Sequence, residues 1–227
     1  MKIPGKELLA GALFRKAPSF FRYPGGEDTA VLIHGWGVRA AAMGSLARYL
    51  NAAGFTVLNY DYPTSKAHIA EHGKRFLELF REEHFPGRIF FLTHSMGGLV
   101  LRYALAAMTE AECRKIGAVV MLGPPNRGSR LAVPGLFRGA AKINASLGDM
   151  APGAPALEIP PPVLLPPAGI VAGNFDGKVK PADTALPDGL PFAFCRINCT
   201  HPGLRRPVNT GTLILGFFRN RTFSPGK

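Results

Sequence analysis

Phe91-Leu92-Thr93-His94-Ser95-Met96-Gly97-Gly98 sets a serine at the join between an apolar, strand-like run and a segment of helical period. Small residues flank it. This is the setting of a nucleophile elbow, a turn so tight that the serine is driven toward strained backbone angles and its neighbours must be small for strand and helix to pack. A serine held there can attack an acyl carbonyl once a base removes its proton. Thr93 stands where the motif has its first glycine, whereas Gly97 and Gly98 are in place. Taken alone, Ser-x-Gly after a strand is equally a plain helix start. A second turn shifts that balance. Ile33-His34-Gly35-Trp36-Gly37 ends an earlier apolar run between glycines, so a backbone N–H there can approach an oxyanion with no side chain in the way. Trp36 and Met96 are the candidate oxyanion donors, and the helix opening at Met96 would aim its N-terminal N–H groups at the same developing charge.

To position these turns the chain must alternate strands with helices. Apolar runs at 29–33, 55–60, 89–92 and 116–122 predict buried strands, and shorter ones at 169–172 and 191–198 predict two more. Between them, helical spacing is read at 40–53, with Met43, Leu46, Ala47 and Leu50 on one face and Gly54 as its stop. A second helix has Ser65 as its N-cap and Ile69, Phe76, Leu79 and Phe80 as its stripe. Others span 96–108 and, after Pro207, continue to 218. Such alternation predicts an α/β class fold, a compact and mostly parallel sheet flanked by helices. Ten of the 21 prolines fall between Pro124 and Pro167, which predicts a proline-rich insertion or cap over about 124–168, poor in regular structure.

With these residues in view, the sequence resembles the α/β-hydrolase superfamily, and within it the bacterial triacylglycerol lipase and esterase branch. His34-Gly35-Trp36-Gly37, His94-Ser95-Met96-Gly97-Gly98 and Gly123-Pro124-Pro125-Asn126-Arg127-Gly128-Ser129 match that branch in order, over roughly residues 29–221. The proline-rich stretch fits it least. The resemblance implies the order nucleophile, acid, histidine. Asn174-Phe175-Asp176-Gly177-Lys178-Val179 is similar to the family's acid loop, which makes Asp176 the acid, with Asp183 and then Asp188 as competitors. His201 is the one histidine downstream of both serine and acid, and is therefore the base. The implied activity is hydrolysis of carboxylic esters of lipid or other hydrophobic acyl chains through an acyl-enzyme, with a Ser95-His201-Asp176 triad and no cofactor. An acyltransferase or thioesterase on the same triad, or a non-catalytic binding protein on the same fold, stays open. Substrate-binding side chains are not assigned.

The other histidines have duller readings: His34 and His94 support packing and turns, while His68, His72 and His84 lie on or near a helix and face solvent. No pair of histidines joins cysteine or carboxylate at a metal-binding spacing. Cys195 and Cys199 bracket a strand end and are read as packing residues.

At 227 residues, with 47% hydrophobic and 19% charged side chains, the chain is expected to fold as a single domain over 1–227 rather than remain disordered. No apolar run approaches the roughly 20 residues of a spanning helix. Residues 8–14 are read as mature sequence rather than a signal peptide. Three cysteines, an odd and sparse set, build no disulfide framework, so a cytoplasmic setting is expected. The net charge of +12 is regional: residues 113–142 and 196–227 each hold six basic and no acidic side chains. Loops after strand ends carry Arg127, Arg130, Lys178, Lys180, Arg205 and Arg206. They suggest a basic rim facing acidic ester substrates or, through peripheral contact, an anionic membrane surface, with a merely solubilising surface as the alternative. Nucleic acid is set aside because no binding module accompanies the charge, and Phe20 to Tyr23 is read as an edge strand. The oligomeric state is left open.

Overall fold

A computed structural model describes residues 17–132 and 144–223. The reading of residues 8–14, and the part of the proline-rich stretch at 133–143, lie outside the described residues.

The strands form where apolar side chains run on without a polar alternation, because both faces of the sheet are covered. β2 (Thr29–Ile33), β4 (Ile89–His94) and β5 (Ile116–Leu122) are buried at every position. β3 (Thr56–Asp61) and β6 (Ala168–Gly173) are nearly so. The edge strands β1 (Ser19–Tyr23) and β7 (Ala193–Ile197) are only half-buried. The sheet order is β1-β3-β2-β4-β5-β6-β7. β1 pairs antiparallel with β3, and every other pairing is parallel.

Alternate side chains of the strands feed two cores. Val31, Ile33, Phe91, Val119 and Met121 face α2 (Ile69–Arg81) and α3 (Gly97–Ala106). Ala30, Leu32, Leu92, Val120 and Leu122 face α1 (Gly44–Ala52) and α6 (Pro207–Asn220). The helix expected at 40–53 opens as a 3-10 turn over Ala40–Met43 before α1 begins. α4 (Glu110–Arg114) is capped by Thr109, whose hydroxyl accepts from the Glu112 N–H. α5 (Ala145–Asp149) and a 3-10 turn at Pro155–Leu157 are the regular structure described between 144 and 167. Among the described residues no helix is long and apolar enough to cross a membrane.

The topology fixes where a site can form. From β2 the chain passes through α1 to β3 on one side, then through α2 back across β2 to β4, and continues outward through α3 to β5. β2 and β4 are neighbours whose onward connections diverge. The crevice between their C-terminal ends is where ligands bind in open α/β sheets, and there the His34-Gly35-Trp36 turn meets the His94-Ser95-Met96 turn.

Candidate active site

Ser95 adopts φ 54, in the left-handed region, where a side chain is strained and is held only by its surroundings. Its N–H donates to Leu122 C=O (2.9 Å), tying the elbow to the end of β5, and its C=O accepts from Gly98 N–H (2.9 Å). Gly97 must lack a side chain: a Cβ there would lie 2.4 Å from Ile33 O and 2.7 Å from His34 O. Thr93, where the motif has its first glycine, is fully buried. A Cβ on Gly98 would fall 2.9 Å from Pro124 Cβ, so Gly98 lets the loop after β5 pack against the helix.

The turn after β2 presses against the elbow, a Cβ on Gly35 falling 2.8 Å from Ser95 Cβ. His34 organises that turn. Its Nδ1–H donates to Gly35 C=O (2.9 Å), while Nε2 accepts from Tyr62 N–H (3.4 Å) and the ring stacks on Tyr62 at 4.4 Å. Burial lowers its pKa to about 4, so the ring is neutral near pH 7. In a planar trans peptide, C=O and N–H point in opposite directions, so the bond that holds Gly35 C=O also fixes the direction of the Trp36 N–H. Neither the Trp36 nor the Met96 N–H donates to any described residue.

Asp176 and His201 follow the ends of β6 and β7. Asp176 Oδ1 accepts from the N–H groups of Lys178 (2.8 Å) and Val179 (2.9 Å), and Oδ2 accepts from His201 Nδ1–H at 2.5 Å. Both side chains are buried. With Nδ1 protonated by that bond, Nε2 carries the free lone pair. His94 joins the elbow to this loop: its Nε2–H donates to His201 C=O (3.0 Å), and the two rings are 4.6 Å apart. Burial, and then the neighbouring His201 ring and Arg205, hold the His94 pKa well below the usual imidazole range. Asp183 and Asp188 stay away from His201. The backbone C=O of Asp183 accepts from Arg127 N–H (2.9 Å), and Asp188 pairs with the Arg127 guanidinium (2.5 Å) at the surface.

Ser95 and His201 line one pocket, whose walls include Trp36, Val38, Leu131, Met150 and Ser129. Sequence reasoning assigned none of these as walls. They come from three separate segments, after β2, after β5 and after α5, and no spacing in the chain signals their convergence. The expectation that His72 faces solvent is corrected: it is fully buried on α2, edge-on to Tyr62 at 5.0 Å. The spacing Ile69, His72, Phe76 puts it on the apolar stripe, and that signal was there to be read. His68 and His84 are exposed, as expected.

Several solved structures share this architecture. The mature lipase BlEst2 of Bacillus licheniformis superposes with a TM-score of 0.69 at 16% identity, over 88% of this chain and 97% of that one. A thermophilic esterase from Thermogutta terrifontis gives 0.62 at 16% identity, over 90% and 93%. A monoacylglycerol lipase from Paleococcus ferrophilus gives 0.54 at 19% identity, over 80% and 90%. No curated protein matches the sequence. Such low identities show a common fold only. The sequence model of the alpha/beta hydrolase family, however, matches residues 30–224, from β2 through the loops of Ser95, Asp176 and His201 to beyond α6. The chain belongs to the alpha/beta hydrolase family.

Proposed function

We propose that this protein is a serine hydrolase of carboxylic esters with hydrophobic acyl chains. The observation that carries the reading is the short Asp176–His201 bond beside a pocket that also holds Ser95 in a left-handed conformation. Family membership and the lipase and esterase names of the structural neighbours support it. Trp36, Val38, Leu131 and Met150 offer apolar walls for an acyl chain.

In this mechanism Ser95 Oγ attacks the ester carbonyl while His201 Nε2 takes its proton, and Asp176 holds the Nδ1–H and stabilises the imidazolium. The carbonyl oxygen becomes an oxyanion, received by the free N–H groups of Trp36 and Met96. The tetrahedral intermediate collapses, His201 protonates the departing alcohol, and an acyl-Ser95 ester remains. Water, deprotonated by His201, attacks that ester, and the second intermediate releases the carboxylic acid and returns the proton to Ser95. The chemistry needs no cofactor.

Labelling with a fluorophosphonate probe and hydrolysis of short p-nitrophenyl esters test the assignment. Ser95→Ala is expected to abolish both while the circular dichroism spectrum is retained. Asp176→Asn is expected to lower turnover by on the order of 10³ to 10⁴, and Asp183→Asn far less. Wild-type protein that never labels would overturn the reading, and a greater loss in Asp183→Asn would move the acid.

A further inference from the structure

Two of the six cations on the loops after the strand ends, Lys178 and Arg205, line the same pocket as Ser95 and His201. Among the described residues no carboxylate lines it with them. Both are fixed by the loops that carry the acid and the histidine. Lys178 follows Asp176 by two residues and donates its backbone N–H to that carboxylate, while its C=O accepts from Ser129 Oγ (3.0 Å) and Arg130 N–H (3.0 Å). Arg205 ends the 3-10 turn Pro202–Arg205, for which His201 is the N-cap.

Some cations are already neutralised by a carboxylate, as Arg39 by Asp61, Arg81 by Glu112 and Arg127 by Asp188, whereas others, such as Lys180 and Arg206, stand on the surface in no ion pair among the described residues. Among the described residues neither Lys178 nor Arg205 takes part in an ion pair. Asp176, the carboxylate carried on the same loops, is already engaged by His201 and two backbone N–H groups. Arg205 is partly buried, and its Nε is buried with no hydrogen-bond partner among the described residues. An orphaned donor on a cation is costly to leave unpaired, and a solvating surface charge would not be sunk this way. Burial pushes the Arg205 pKa down, as expected for a guanidinium without a counter-charge.

We infer that the esters this protein hydrolyses carry a second, anionic group, a carboxylate or phosphate oxyanion, received by the outer, accessible end of the Arg205 guanidinium and the Lys178 ammonium while the ester carbonyl lies at Ser95. This rests on the proposed hydrolase reading and names its substrate class. It also divides the basic rim: Arg127 is occupied by Asp188, whereas the two pocket cations serve a molecule small enough to enter beside Ser95, not a membrane surface.

Two matched pairs of monomeric esters test it and separate the two oxyanions. Mono-4-nitrophenyl glutarate is compared with 4-nitrophenyl pentanoate for a carboxylate on the acyl side. Monobutyrylglycerol phosphate is compared with monobutyrylglycerol for a phosphate on the alcohol side. In at least one pair the anionic ester is expected to have about tenfold higher kcat/KM, chiefly through KM, as charge-assisted hydrogen bonds to a fixed partner provide. The advantage should shrink with added NaCl and fall toward unity in Arg205→Met and Lys178→Met. The ratio is taken within each variant, so any general loss of activity cancels. Equal or better use of the neutral ester in both pairs, or a preference untouched by both substitutions, overturns the inference. Binding to anionic phospholipid vesicles without any preference among monomeric esters also overturns it and assigns the rim to a surface. Failure here with intact fluorophosphonate labelling and turnover of the neutral esters leaves the hydrolase reading standing, whereas absence of both removes that reading too.

Discussion

The hydroxyl of Thr93 is buried and has no hydrogen-bond partner among the described residues. Removing an unsatisfied buried hydroxyl relieves a desolvation cost, and Thr93→Val is expected to stabilise the fold by about 1 kcal/mol. A urea midpoint that falls instead would show that the hydroxyl finds a partner. At this scale the two turns that carry Ser95 with Met96 and Trp36 were legible because elbow and turn motifs constrain backbone locally, which leaves a mark in glycine spacing. Asp176 and His201 were legible only through their order in a family. Their contact spans 25 residues of chain, and nothing in the intervening spacing encodes it. The apolar walls Val38, Leu131 and Met150 were not legible at all.

Strands buried on both faces announced themselves: the run 116–122 matches β5 and 29–33 matches β2. The edges were harder, since β7 alternates between half-buried and exposed residues and is shorter than the apolar run suggested. The start of α2 shows a different limit. Ser65 looked like its N-cap, but His68 occupies that position and makes no side-chain cap. The cap comes from Asp149 on α5, whose Oδ2 accepts from Ile69 N–H (2.7 Å) and whose Oδ1 accepts from His68 Nδ1–H (2.9 Å). Ser146 Oγ adds a bond to Ala67 C=O (2.5 Å). A partner 80 residues away in sequence leaves no local signal. These bonds fasten α5 of the proline-rich stretch to the helix beside it, and Met150, next in the chain, lines the Ser95 pocket. Asp149→Ala should lower stability by about 1 kcal/mol, the usual worth of an N-cap, and Asp149→Asn by less, since an acceptor oxygen survives. Equal thermal midpoints for wild type and Asp149→Ala would deny the latch.

For the molecule as a whole, burial makes three imidazoles resist protonation: His34, with a pKa near 4, together with His72 and His94. Unfolding returns each to an ordinary imidazole, so below about pH 6.5 the unfolded chain binds more protons than the folded one. Stability therefore falls as pH drops from there toward 4, His34 alone contributing a loss of about 2 kcal/mol between pH 7 and pH 5. Urea titrations at those two values check this, and an unchanged midpoint would mean that the imidazoles are not held neutral. Glu112, held to about 2 by Arg81, and Asp61, whose pKa is lowered by the Arg39 guanidinium against the opposing effect of its burial, extend the decline at lower pH.

Among the described residues β1 and β7 are the outermost strands of the sheet, and each carries an arginine, Arg22 and Arg196. Both are exposed, and Arg196 stands two residues from the exposed Phe194. An outermost strand offers free backbone donors and acceptors to any extended chain, and charged side chains discourage that pairing. Arg22 is ion-paired with Glu83, whereas Arg196 is in no ion pair among the described residues, so two copies approaching through β7 would bring like charges together. Part of the chain's basic excess thus keeps its sheet from continuing into a neighbour's and guards against aggregation.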